Sequence, residues 1–140
     1  MKVLIDTNVI LDVLEKREPH FENSASFLKL CGPRVTGCIS ASQTTDIFYL
    51  LRRAGQDSAA AKSVIKKLIE NMKLLDMTAT DVDNALASEM PDYEDALLAC
   101  QAQRQKMEYI VTRNEKDFKQ SPVPAISPQA FLEQYYTNIF

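Results

Sequence analysis

Two hydrophobic rhythms alternate along this chain. The run Val3-Leu4-Ile5 is apolar, too short for a helix, and stops on Asp6, with Thr7 and Asn8 directly behind it. It reads as a buried strand that delivers an acid to its carboxyl end, and Asp6, Thr7 or Asn8 can cap the helix that follows. Val9-Ile10-Leu11 and Val13-Leu14 form that helix, and Pro19 forbids its continuation. Positions 21–30 look helical, with Ala25, Phe27, Leu28 and Leu30 apolar; Gly32-Pro33 stops them, and 34–39 makes a second strand. Ser40 caps a helix over 41–54, with Ile47, Leu50, Leu51 and Ala54 at helical spacing and Gly55 closing it.

A further helix starts at Asp57 or Ser58 and runs to Asn71, with Ala61, Val64, Ile65, Leu68 and Ile69 inside and Lys62, Lys66 and Lys67 outside. Positions 74–77 make a third strand, and Thr80 caps a helix carrying Val82, Ala85, Leu86 and Met90 before Pro91. The helix over 92–106 is unlike the others. Ala96, Leu97, Leu98, Ala99, Cys100 and Ala102 point in nearly every direction, which predicts burial. Tyr109 to Thr112 is a short buried strand, 113–119 a turn, 125–126 an edge strand, and Pro128 opens a C-terminal helix. Strands alternating with helices predict an α/β fold, a mostly parallel sheet covered on both faces.

Composition changes this picture little. A chain of 140 residues, 46% hydrophobic and 25% charged, predicts one domain, 1–140, with a sizeable core. No apolar run approaches the ~20 residues that span a bilayer, and a signal peptide's basic start and cleavage site are missing, so the expectation is a cytoplasmic protein without a membrane partner. Cys31, Cys38 and Cys100 have no C-x-x-C spacing and read as free thiols, and the single histidine, His20, reads as surface. The net charge of −3 argues against a nucleic-acid partner only if the acids are spread evenly.

They are not spread evenly. Asp6 ends the first strand, Asp46 borders the apolar stripe of its helix, and Asp95 shares a face with Leu98, Ala99 and Ala102, one turn after Asp92. Asn114 and Asp117 follow the strand that ends at Thr112. In a parallel sheet covered on both faces, strand carboxyl ends share one rim, so these groups converge there. Crowded carboxylates need a counter-charge. Nothing basic lies between Leu4 and Leu14 or in the first turn of the buried helix, so a bound cation is the more economical remedy. Oxygen-only donors suit Mg²⁺ or Mn²⁺. Such a cluster serves attack of water on a phosphodiester. The plainer reading makes each acid a cap or a salt-bridge partner, as Glu15, Glu18, Glu70, Glu108 and Glu133 read as solvated surface.

The strings Ile5-Asp6-Thr7-Asn8-Val9, Asp46, Asp92-x-x-Asp95-Ala96-Leu97 and Val111-Thr112-Arg113-Asn114-x-x-Asp117-Phe118 together resemble a PIN domain, specifically its single-domain members of the VapC toxin type. The resemblance runs from residue 2 to about 126. It implies a three-layer α/β/α sandwich on a parallel sheet of order 3-2-1-4-5 and a metal-dependent endoribonuclease. Asp6 and Asp95 match the family's first and third acidic positions. Asp46 stands at the second, more often Glu, and Asn114 or Asp117 fills the fourth. Asp92 is an additional acid, and Thr7, Asn8 and Thr112 support the ligands by hydrogen bonds. A toxin role implies a small antitoxin protein as partner and a homodimer.

Arg52, Arg53, Arg113 and Lys116 flank these acids and are candidates for RNA phosphate contacts. Two readings compete with the nuclease. One is a PIN-like module that binds RNA or protein without cutting, favoured by Asn114 and the short Asp46. The other is a phosphatase-like hydrolase with Asp6 as nucleophile, weakened because Asn8 stands where that chemistry wants a second Asp.

Overall fold

The computed structural model describes residues 1–135; positions 136–140 of the expected domain lie outside the described residues. The chain runs β1 (Lys2–Ile5), α1 (Thr7–Leu14), α2 (Phe21–Leu30), β2 (Thr36–Ser40), α3 (Ala41–Arg53), α4 (Ser58–Glu70), β3 (Lys73–Leu75), α5 (Ala79–Ala87), α6 (Tyr93–Arg104), β4 (Tyr109–Val111), a 3-10 turn (Glu115–Phe118), β5 (Ala125–Ile126) and α7 (Pro128–Tyr135). The five strands pair in parallel in the order β3-β2-β1-β4-β5. The α/β class expected from the alternation of strands and helices, and the strand order that the PIN resemblance implies, are those observed.

β1 is central and buried on both faces, as its unbroken apolar run requires. Successive side chains of a strand point to opposite faces. Val3 and Ile5 therefore join Ile39 and Val111 in a core closed by α1, α2, α3 and α7. Leu4 joins Cys38 and Ile110 in a second core under α5 and α6. The helix expected to be buried all round is so: Ala96, Leu97, Leu98, Ala99, Gln101 and Ala102 of α6 are all buried. Cys100 alone of the expected set is half-buried. Cys31 and Cys38 are buried free thiols, and His20 is exposed.

Local boundaries moved where hydrogen bonds outvoted pattern. β2 begins at Thr36 because Val35 is spent in a turn, its amide donating to Leu30 O at 2.9 Å and its carbonyl accepting from Gly32 N at 2.8 Å. β3 stops at Leu75, and the Asp76 carbonyl accepts from Arg104 Nη2 at 2.7 Å. α5 is capped by Thr78, not Thr80. Thr78 Oγ1 accepts from Asp81 N at 3.2 Å and Asp81 Oδ2 accepts from Thr78 N at 2.9 Å, a reciprocal box that an acid three residues on makes possible. Leu86 of α5 faces outward, 70% exposed, against its expected place inside. Ala54 is likewise exposed, lying past the last turn of α3. Asp81 itself is buried; burial pushes its carboxyl up, but the two Arg104 hydrogen bonds, both 2.9 Å, help hold it below the usual range.

β2 crosses α2 closely at Gly37, where an added Cβ would stand 2.6 Å from Cys31 Sγ and 2.9 Å from Cys31 Cβ. Gly37→Ala should therefore destabilise the chain by about 1–3 kcal/mol through overpacking, read as a lowered urea midpoint with unchanged slope. An unchanged midpoint would mean that α2 yields at no cost.

Candidate functional site at the carboxyl edge of the sheet

Every strand of a parallel sheet presents its carboxyl end to the same edge, and here that edge carries the polar residues the sequence singles out. Asp6 follows β1 and caps α1, its Oδ1 accepting from Thr7 N at 2.7 Å. Its Oδ2 accepts from Thr112 Oγ1 at 2.8 Å and from Asn8 Nδ2 at 3.4 Å. Thr112 is buried just beyond β4, and its oxygen also accepts from Asn8 Nδ2 at 3.3 Å and from Asn114 N at 3.1 Å. Asp6 and Thr112 are thus clamped across the β1–β4 pair, with Asn8 as the brace. Thr7 Oγ1 accepts from Gln43 Nε2 at 3.1 Å.

α6 brings in the second acidic group. Asp92 is its N-cap, Oδ1 accepting from Asp95 N at 2.9 Å, so Asp92 and Asp95 stand one turn apart at the end of a buried helix. Burial first, then the negative charges of Asp92, Asp6, Asp117 and Glu94, pushes the Asp95 carboxyl up to about 7. Glu94 is also raised, by burial, by a hydrogen bond with Asp46, and by the charges of Asp46, Asp92 and Asp6. Burial raises Asp6 as well, against the Thr112 and Thr7 hydrogen bonds and the charge of Arg113; Asp117 raises it further. The field of five carboxylates, Asp6, Asp92, Glu94, Asp95 and Asp117, is therefore shared across β1, α6 and the 3-10 turn, and Asp46 of α3 joins it through Glu94.

Not every expected participant is placed alike. Asp46 is exposed rather than bordering the core, and Asn114 is exposed with its amide on Thr112. Lys116 is exposed on the 3-10 turn beside Asp117 in the chain. Arg52 and Arg53 end α3, about 9 Å along the axis beyond Asp46, which carries them toward the opposite edge of the sheet. Arg113 turns inward, its Nε donating to Asp12 Oδ2 at 2.5 Å, so one edge of its guanidinium is committed inside the protein.

Three residues escaped the sequence reading. Asp12 is fully buried in α1 and also accepts from Ser24 Oγ at 3.1 Å. The signal that marked Asp95, an acid inside an apolar helix, applied equally to it. Gln43 is buried, donating to Ile5 O at 2.8 Å while its Oε1 accepts from Ser40 N at 2.8 Å. The Ser40-x-x-Gln43 capping box announces half of that role. Glu94 has no periodic signal, because its partner Asp46 comes from another helix.

The donor set is oxygen-only and its charge is largely unanswered: Arg113 is a cation that reaches Asp6, and the charges that weigh most on Asp95 and Glu94 are carboxylates. That chemistry fits a hard divalent ion. Among the described residues, no three acids are drawn tightly enough together to hold an ion between them. No helix among them is long and apolar enough to cross a membrane.

A doubly covered parallel sheet of this order, with acids gathered at its carboxyl edge, defines a PIN-like α/β protein. The chain belongs to the PIN domain family, whose model matches residues 2–116. It is 22% identical over 142 residues to ribonuclease VapC1 of Aquifex aeolicus (strain VF5), covering 97% of this chain and 96% of that protein. It superposes on VapBC2 from Rickettsia felis, solved bound to a DNA fragment from their promoter, with a TM-score of 0.71, 18% identity, and coverage of 91% and 98% of the two chains. On Mycobacterium tuberculosis VapC20, a sarcin-ricin loop cleaving toxin, the TM-score is 0.63 at 14% identity, covering 77% of this chain and 86% of that one.

The Asp95 carboxyl, titrating near 7 against an ordinary 3.8, keeps a proton in the folded chain that the unfolded chain has already released. The sign follows: stability is greatest on the acid side and declines as pH rises from about 4 to about 7. Thermal melts in chelator should give a lower Tm at about pH 8 than at about pH 5, and Asp95→Asn should shrink that drop. An undiminished drop in the variant would put the pH dependence elsewhere.

Proposed function

We propose that this chain is a Mg²⁺- or Mn²⁺-dependent endoribonuclease and the toxin of a toxin–antitoxin pair. The observation that carries the reading is the raised Asp95, Glu94 and Asp6 carboxyls at one sheet edge, with too little positive charge to answer them. Asp6 and Asp95 are the central ligands in this reading, with Asp46, Asp92, Asn114 and Asp117 around them and Glu94 added by the geometry. When bound, a divalent ion supplies charge neutralisation at the phosphoryl group and activation of water.

The chain's own residues have separable tasks. Thr112 and Asn8 hold Oδ2 of Asp6 in a fixed direction, and Thr7 N does the same for Oδ1. Asp95, crowded by burial and by the charges of Asp92, Asp6, Asp117 and Glu94, is the carboxylate that gains most from a cation beside it. Asp117 adds negative charge that discourages a bare phosphodiester from approaching before cations do. Lys116 is the candidate for RNA phosphates nearest in the chain to this group, Arg52 and Arg53 belong to a more distant contact, and Arg113 has its charge already answered by Asp12. A small antitoxin and a homodimer complete the toxin reading, in keeping with structural relatives solved as toxin–antitoxin complexes.

A non-cleaving module that binds RNA or protein remains the second reading. The exposed, uncharged Asn114 and the want of a closed ligand set among the described residues favour it. Incubation with mixed RNA and Mn²⁺, repeated with chelator, separates the two. The expected result is chelator-sensitive cleavage that falls about 100-fold or more in Asp6→Asn and in Asp95→Asn while circular dichroism is unchanged. Wild-type protein that binds RNA without cutting it would establish the module, and full activity in either variant would remove that residue from the mechanism.

A further inference from the structure

Where α2 and α7 begin, a hollow of about 290 Å³ opens beside Arg113. That is near the lower end of the roughly 300–1,000 Å³ of small-molecule sites, room for a single small group and not for a polymer. Asn23, Glu115 and Gln129 line it together with Arg113, and the exposed imidazole of His20 is a flat ring at its wall. Behind the wall, Ser24 and Arg113 both donate to the buried Asp12, whose Oδ1 has no hydrogen-bond partner.

Charge decides what can enter. Arg113 brings one positive charge, Asp12 already answers it, and Glu115 adds a negative one. A phosphate group would meet more repulsion than attraction there. A neutral, flat ligand with donors and acceptors along its edges meets none. The wall offers both kinds of partner: among the described residues the Arg113 Nη atoms and the side chains of Asn23 and Glu115 carry no hydrogen bond. Gln129 donates to Glu133 Oε1 at 3.1 Å and keeps its own oxygen open.

We propose that this hollow is a base pocket that takes an unpaired nucleobase of the RNA beside the bond to be cut, with guanine the best complement. The source of the base rests on the ribonuclease reading above. A carboxylate such as Glu115 accepts from the N1–H and N2–H groups of guanine, and guanidinium nitrogens such as those of Arg113 donate to O6 and N7. Bases splayed from single strands are held in this way, stacked on flat side chains and read on their edges. Position supports the role. Arg113 follows Thr112, whose hydroxyl holds Asp6, and the Arg113 amide donates to Asn8 Oδ1 at 3.4 Å. The Arg113 that lines the hollow is thus one residue along the chain from the hydroxyl that holds Asp6, which sets the pocket at the same edge of the sheet.

The test uses isotopically labelled protein in chelator, titrated with GMP, AMP, CMP, UMP and, separately, inorganic phosphate. NMR follows the Asn23 side-chain amide and the Arg113 Nε–H. GMP should move both signals saturably, with affinity about fivefold or more above the other three nucleotides, as one good bidentate pair provides. Phosphate should move neither, and Glu115→Gln should abolish the preference. Equal responses to all four nucleotides, or a response to phosphate, would overturn the base assignment; silence toward every nucleotide would overturn the pocket. Neither metal nor cleavage enters this measurement. A GMP-responsive pocket in a protein that cuts nothing strikes only the ribonuclease reading, and an active nuclease with a silent pocket strikes only this one.

Discussion

Negative charge brought together and only partly answered is the constraint on which this structure turns. Carboxylates from β1, α6 and the 3-10 turn raise one another's proton affinity, and the end of α6 that carries three of them sits on a buried helix. Burial and like-charge crowding act in the same direction, each favouring the neutral acid. A fold that keeps such an arrangement forgoes stability that ordinary surface acids would not cost. Asp12 and Asp81, the buried acids among the described residues, show the alternative, because each has its own arginine. The contrast separates acids that hold the fold from acids held by it.

The scaffold makes the crowding possible through rigidity nearby. β1 pairs with both β2 and β4, so Asp6 leaves the most constrained strand of the sheet. Gln43 ties the end of that strand to the start of α3, and Thr112 ties it to the exit of β4. The Asp12–Arg113 pair fixes the next residue along. Of these ties, the Thr112 hydroxyl and the Arg113 charge partly answer Asp6, and the acids of α6 are left to one another. Arg113 consequently faces two ways, inward to Asp12 and outward to the hollow between the starts of α2 and α7.

Structural relatives at 14–18% identity keep the same architecture over most of their length. What varies on such a scaffold is the set of side chains at its edge. Here that set includes Asp46 interacting with Glu94 from another helix, and an exposed Asn114.

Much of the fold was legible in the chain because apolar period is a local property. The unbroken Val3-Leu4-Ile5 run, the stripe of α3 and the all-round apolar α6 each state their own burial. Asp6 and Asp95 were legible for the same reason, as polar residues interrupting local order. Capping was decided by a few hydrogen bonds, and so Thr78 displaced Thr80, while packing left Leu86 outward. Partnerships across the chain had no local trace: Glu94 with Asp46, Arg113 with Asp12, and the turning of Arg52 and Arg53 toward the far edge exist only once helices are stacked on the sheet. Period and chain order determined which elements form and in what class of sheet. Only packing decided which charges meet, because electrostatic neighbours are set by distance in space and most of these stand far apart in sequence.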